Sequence, residues 1–208
     1  MSKNETQAAK PAAPEQEKPR LALDGRYIGK LAGVLLGITA VTALLLGAVN
    51  YITAPIIAQA TEEKRVAAME QVLEAEEYPA VEDFVQEHDG ATVTALSEAI
   101  SGGETIGYVA EVTTNGFGGA ISLVVGVNPD GTVSGVAVID HAETPNVGSK
   151  VVDDQAVLDQ AVGLGSPVTV NSGDNAFDAV SGATVSSRAV VTGVNAALEA
   201  VAAAAPLG

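Results

Sequence analysis

Two short segments of this 208-residue chain hold residue types that could do chemistry. The first is Asp178-Ala-Val-Ser-Gly-Ala-Thr184, continued by Val185, Ser186, Ser187 and Arg188. It sets a threonine hydroxyl behind a Ser-Gly turn, at the start of a long helical pattern. The first turn of a helix leaves backbone N–H groups unpaired at the positive end of the macrodipole, so a phosphate is at home there. A plainer use exists: Ser and Thr at this place also cap helices by accepting from those N–H groups.

The second segment is His141-Ala-Glu-Thr-Pro-Asn-Val-Gly148. Pro145 fixes φ and removes a backbone donor, while Gly148 permits a sharp reversal. Taken alone, this is a rigid turn. A third stretch, Asn115-Gly-Phe-Gly-Gly-Ala-Ile121, is glycine-rich and leads into a strand pattern.

Composition narrows what these segments can serve. The net charge is -16 and the pI about 4.2. A chain this acidic will not seek nucleic acid, which needs clustered Lys and Arg. The cations gather at the start, with Lys3, Lys10, Lys18, Arg20, Arg26 and Lys30 in the first thirty residues. There is no cysteine, which excludes disulfides, thiolate iron–sulfur ligation and C-x-x-C-H haem attachment. The two histidines, His88 and His141, stand apart, so no metal site is expected. If this chain moves electrons, an organic cofactor is therefore the remaining option.

The elements that must position the segments can be read from periodicity. Residues 2–20 are polar, Pro-bearing and aperiodic, as in a disordered tail. No charge occurs from Leu31 to Thr61, and Leu31–Val49 is almost wholly apolar, enough for a membrane-spanning helix. Ala58-Gln-Ala60 resembles a signal cleavage site, but the apolar run exceeds a signal h-region, so a retained anchor is expected. The basic flank predicts a cytoplasmic N-terminus with the acidic bulk outside. From Thr61 to Glu77 an apolar stripe of Val66, Met69, Val72 and Leu73 predicts a helix that Pro79 stops. Strands follow: 106–112, with Ile106, Tyr108, Ala110 and Val112 on one face, then a hairpin over 120–139 turning at Asn128–Gly131. A short helix and loop are expected over 155–167. The last helix, about 186–205, has an apolar stripe of Val190, Val194, Leu198 and Val201, opposite Arg188, Thr192, Asn195 and Glu199. The expected class is α+β with a mainly antiparallel sheet. Its divisions are a cytoplasmic tail 1–26, a span 27–57, a helical stalk or linker 58–95 and a globular domain 96–208.

The pattern D-x-x-S-G-A-T-x-S at 178–186 resembles the flavin attachment site of a family of flavoproteins. That family is the FMN-binding domain shared by the G subunit of the Rnf electron-transport complex and the C subunit of the sodium-pumping NADH:quinone reductase. His141–Gly148 is similar to the family's H-x-E-T-P-G-L-G segment, and Asn115–Ile121 to its G-Y-G-G-x-I segment. The likeness covers roughly residues 105–204, and the single anchor before them matches too. This chain departs in having Asn146 and Val147 where the family shows Gly and Leu. Asn tolerates left-handed backbone nearly as Gly does, so the turn is expected to survive.

The resemblance implies covalent FMN joined through its phosphate to Thr184, attached by a dedicated flavin transferase. Gly182 and Ala183 would leave room for the phosphate, Ser181 would cap the helix and Ser187 would bind a phosphate oxygen. Arg188 would pair with the remaining phosphodiester charge, unless it pairs with a nearby carboxylate. Glu143 and Thr144 would approach the flavin ring, with Glu143 tuning it or orienting the loop. Asp178 is the motif's acidic member. The implied role is an electron-carrier subunit, not a catalyst alone, in an Rnf-like ferredoxin:NAD oxidoreductase coupled to sodium or proton transport. Its partners would be the other membrane subunits, with one pass through the cytoplasmic membrane and the flavin domain outside. The alternatives are the C subunit of the quinone reductase, a free-standing extracytoplasmic flavin domain, and a binding domain without cofactor.

Overall fold

The computed structural model describes residues 25–81 and 84–204. The expected polar tail, up to residue 24, and residue 205 lie outside the described residues. The chain divides into two compact units at Thr53–Ala54. Helix α1 (Gly25–Val72) begins in the first and ends in the second, so the span and the stalk are one helix. In the first unit its apolar side chains, such as Leu35, Leu36 and Leu44, are exposed. The helix is long and apolar enough to cross a membrane. Thr39, Thr42 and Thr53 return their hydroxyls to carbonyls one turn back, so none of these needs water.

The second unit is an antiparallel meander with helices on both faces. Its strands are β1 (Gln86–His88), β2 (Ala91–Ser101), β3 (Glu104–Asn115), β4 (Ala120–Val127) and β5 (Val133–His141), adjacent in chain order. The chain then forms α2 (Ser149–Val152), α3 (Gln155–Leu158), the short parallel pair β6 (Thr169–Val170) and β7 (Ala176–Phe177), and α4 (Thr184–Ala204). One sheet face, with Val112, Leu123 and Val125, packs against Val190, Val194 and Leu198 of α4. The other, with Ala99, Val109, Val124 and Ala137, receives Ala68, Met69 and Val72 of α1. Burial on both faces explains why β4 reads Ile-Ser-Leu-Val-Val-Gly-Val, apolar almost throughout.

The last turn of α1 rests directly on sheet backbone. Gly126 and Gly135 face each other across β4 and β5, and a Cβ on either would come within 2.8 Å of Val72. Ser134 Oγ donates to the Val72 carbonyl at 2.7 Å, and the Tyr78 hydroxyl donates to that of Leu73 at 2.7 Å. These bonds satisfy carbonyls that a helix end leaves orphaned. The helix therefore stops at Val72, short of the expected Glu77. Glu76 and Glu77 instead donate their N–H groups to the Ile100 carbonyl, at 2.9 and 3.2 Å, so tertiary pairing overrides helix propensity.

Two bulges account for the other departures. Thr94 is an extra residue in β2 opposite β3, which breaks the alternation by which 91–101 would read as a strand. A boundary at 95/96 falls inside that strand. Ile106 is the extra residue where Ala99 pairs with Gly107 and Ile100 with Thr105. It therefore packs on the α1 side, away from Tyr108, Ala110 and Val112.

Helix α4 begins at Thr184, two residues earlier than its periodicity suggests, and is buried well beyond the expected stripe. Its polar positions bind protein groups. Asn195 accepts from Val168 N–H and donates to Val168 O, both at 2.8 Å, which docks the 163–177 loop. Glu199 meets His88 of β1 at 2.9 Å.

Candidate functional site

The site is built on two turns. In Val180–Ala183 the Ala183 N–H donates to the Val180 carbonyl at 2.9 Å, and Gly182, third in the turn, has φ +79°. A side chain at that third position would strain the backbone, which is why Gly follows Ser181. Ser187 is fully buried beneath the turn. Its hydroxyl accepts from Val180 N–H and donates to the Ala183 carbonyl, each at 3.1 Å. It shapes the turn, and both its bonds are to protein.

The first helical bond runs from Ser187 N–H to the Ala183 carbonyl at 2.9 Å, so Ala183 is the N-cap. A methyl group caps nothing, and the first-turn amides have no side-chain acceptor there. Ser181, two residues before this cap, lies exposed in the turn. Thr184 is exposed on the first helical position, and its hydroxyl makes no side-chain hydrogen bond among the described residues. Arg188 is exposed one turn on and, among the described residues, makes no ion pair. Asp178 is exposed, and its N–H donates to Gln160 Oε1 at 2.9 Å.

The second turn is Thr144–Val147. Val147 N–H donates to the Thr144 carbonyl at 3.1 Å, Pro145 stands second and Asn146, third, has φ +61°. Asn146 thus adopts the left-handed backbone expected of it. Asn146 N–H also donates to Ser149 Oγ at 2.9 Å. Thr144, Pro145 and Asn146 are all exposed.

Glu143 precedes the second turn, binds the glycine-rich loop and lies beside Ser186 in the first turn of α4. It is only 6% exposed. Its Oε1 accepts from Phe117 N–H and its Oε2 from Gly118 N–H, both at 2.9 Å. A Cβ on Gly148 would meet both this carboxylate and Ser186 Oγ, which places the first turn of α4 beside the loop. Burial alone would raise the Glu143 pKa, but the Gly118 N–H, the Ser186 hydroxyl and the Phe117 and Thr144 N–H groups hold it below the usual carboxylate range. The Ser186 hydroxyl is wholly buried and falls short of a regular hydrogen bond, so its contribution is that of a nearby dipole. The glycine-rich loop is pinned equally closely, since a Cβ on Gly118 would lie 2.6 Å from Ala142 O and Thr144 N. Between orienting the loop and touching a ligand, the Glu143 carboxylate does the former. Ahead of it, His141 Nδ1 accepts from Glu143 N–H at 3.2 Å, and Nε2 meets Asp153 Oδ1 at 2.9 Å.

The fold thus brings Glu143 and Gly148 to Ser186 in the first turn of α4, with Thr144 and Thr184 exposed on the chain segments to either side. Two participants were not singled out from sequence. Ser186 looked like one more hydroxyl in a Ser-Ser pair, and only the fold turns it inward. Phe117, 62% exposed on the glycine loop, is an aromatic set out in solvent. The glycine-rich segment around it is matched to the family's G-Y-G-G-x-I segment in the sequence, but that likeness gave Phe117 itself no role.

The sequence profile of the FMN-binding domain matches residues 116–199, which contain both turns, the glycine loop and most of α4. The G subunit of the Na(+)-translocating ferredoxin:NAD(+) oxidoreductase complex of Acetobacterium woodii is 30% identical over 201 residues, 88% of this chain and 96% of that one. The G subunit of the proton-translocating ferredoxin:NAD(+) oxidoreductase complex of Clostridium ljungdahlii is 31% identical over 162 residues, 76% of this chain and 83% of that one. Among solved structures, NqrC of Shewanella oneidensis aligns at 28% identity with a TM-score of 0.42, over 50% of this chain and 54% of that one. The chain belongs to the family of G subunits of the ion-translocating oxidoreductase complexes and has its FMN-binding domain.

Proposed function

We propose that this protein is the FMN-carrying subunit of an Rnf-like, membrane-anchored ferredoxin:NAD oxidoreductase, with the flavin joined by a phosphoester to Thr184. The observation that carries the reading is the start of α4. A 21-residue helix opens on an alanine N-cap, with an exposed threonine at its first position and, one turn later, an arginine without an ion pair among the described residues. Replacing a Ser, Thr, Asp or Asn cap by Ala typically costs about 1 kcal/mol, so the missing acceptor suits a site where an anion takes its place. FMN, when bound, supplies one- and two-electron transfer. The protein's part is to hold and orient it.

Thr184 would supply the ester oxygen, and the first-turn amides and Arg188 would be available to the remaining phosphate charge. Ser181 and Gly182 keep the turn open to a transferase, and Ala183 adds no side chain in its way. Ser187 acts through the turn it braces. Thr144 and Pro145, exposed beside this helix end, offer an edge for the ring, and Glu143 keeps that edge in place. The relay then runs between this domain and other subunits of the complex, which couples electron transfer to sodium or proton transport. Arg26 and Lys30 at the head of α1 and the acidic residues after it support a cytoplasmic N-terminus, with the flavin domain outside the membrane.

The test is expression with and without a flavin transferase, followed by denaturing electrophoresis. The protein should fluoresce as a flavin only with the transferase, and Thr184→Val should be dark under both conditions. A fluorescent Thr184→Val band would refute attachment at this residue.

A further inference from the structure

The segment that leads into the 180–183 turn is held from outside itself. Three consecutive backbone N–H groups each meet a side chain of another element. Asp178 N–H donates to Gln160 Oε1 at 2.9 Å, Ala179 N–H to Asn171 Oδ1 at 2.7 Å and Val180 N–H to Ser187 Oγ at 3.1 Å. Gln160 comes from the single helical turn Asp159–Ala161, Asn171 from the loop after β6 and Ser187 from α4. Asn171 grips the chain twice, because its own N–H donates to the Phe177 carbonyl at 3.0 Å. It does so from left-handed backbone, φ +56°, which Asn visits more readily than most residues. Residues 178–180 belong to no strand. Water could satisfy amides in such a surface stretch, whereas side chains fix them in one direction.

We propose that Gln160 and Asn171 are positioning residues for flavin attachment, holding residues 177–179 in the shape in which the flavin transferase binds this chain. The inference rests on the reading of Thr184 as the attachment point. Joining FMN to a hydroxyl in water needs an activated phosphate, so the flavin donor is a dinucleotide such as FAD. Thr184 Oγ bonds to the FMN phosphorus and the pyrophosphate bond breaks. AMP leaves with the bonding electron pair, and the transferase takes up the hydroxyl proton. Gln160 and Asn171 act before that exchange and take no part in it. A segment that must be ordered on binding loses affinity to the ordering, and one already ordered does not. Ser187 braces the 180–183 turn by itself, so the turn stands without the other two. What Gln160 and Asn171 hold is the approach between buried Phe177 and that turn, with Asp178 exposed at its centre. Their effect therefore falls on binding of the segment and not on the reactivity of the hydroxyl.

Full-length protein in detergent micelles would be labelled with the transferase and FAD. Initial rates would be read by in-gel flavin fluorescence over a range of protein concentrations. Gln160→Met and Asn171→Gly remove the acceptors, the one keeping side-chain length and the other the left-handed backbone. Gln160→Glu and Asn171→Asp keep an acceptor in place. The expected result is a KM for this protein raised about 3- to 10-fold in each of the first two variants, and further in the two combined, with kcat unchanged. The acceptor-keeping pair should label as wild type does. An unchanged KM in the combined variant would overturn the proposal. So would a loss confined to kcat, or a raised KM that the acceptor-keeping variants share. Wild-type protein that takes no flavin on Thr184 would instead remove the reading on which the proposal rests. Melting curves accompany each variant, and the single variants decide the point if the combined one folds poorly.

Discussion

The turns at 144–147 and 180–183 share one backbone design and differ in what braces them. Each closes an i to i+3 hydrogen bond, and each places a left-handed residue third, Asn146 at φ +61° and Gly182 at φ +79°. Both turns lean on a serine hydroxyl, Ser149 accepting from Asn146 N–H in the first, but the first is also flanked by ionisable groups: Glu143 across to Phe117 and Gly118, and His141 across to Asp153. The second is held by Ser187, a neutral hydroxyl buried under it. The contrast suits a division of labour. On the proposed attachment at Thr184, the turn that anchors the cofactor should not move with pH, whereas the proposed ring edge is bordered by groups whose charge can change.

The comparison breaks most visibly at Glu143. Glu143→Ala should destabilise the domain by about 3 kcal/mol, since it strips two backbone donors of a charged acceptor. Urea denaturation would measure it, and a loss below about 1 kcal/mol would show that water replaces the carboxylate. On the other turn, Gly182→Val forces a β-branched residue into left-handed backbone and should cost about 1–3 kcal/mol. It should also reduce flavin attachment, which in-gel fluorescence reads directly.

Acid should separate the two turns next. The folded pKa of Glu143 is lowered, so its contribution is complete above the ordinary carboxylate value of about 4.3 and disappears as pH falls through the lower, folded value. Melting temperatures of wild type and Glu143→Gln should therefore converge as the solution is acidified. A constant gap down to the lowest pH reached would contradict the lowered value. The smallest effect on stability belongs to Arg188→Gln. With no ion pair to lose among the described residues, it should change stability by no more than about 0.5 kcal/mol while attachment slows.

Much of this was legible in the chain. The apolar stripe of α4, the 120–139 hairpin and the long apolar helix follow from periodicity, because each buries one continuous set of side chains. The parts that escaped are those where tertiary pairing breaks the period. Thr94 and Ile106 are bulge residues, and a bulge leaves no mark that alternation can detect. Of the site, the two turns could be read from Pro145-Asn146 and Ser181-Gly182, whose backbone demands are local. The direction of the Glu143, Ser186 and Ser187 side chains could not, since it depends on loops brought together only by the fold. Ser187 looked like a phosphate ligand because it shares a motif with Thr184, yet its hydroxyl is engaged within the turn.

The central claim is that the exposed hydroxyl at the head of α4 carries the flavin. Proteolysis of transferase-matured protein followed by mass mapping of the peptide around Thr184 tests it most directly. The account predicts that this peptide alone is heavier, by one FMN less one water, with fragmentation placing the added mass on Thr184. An unmodified Thr184 peptide from a yellow protein, or the added mass on Ser181, Ser186 or Ser187, would contradict it.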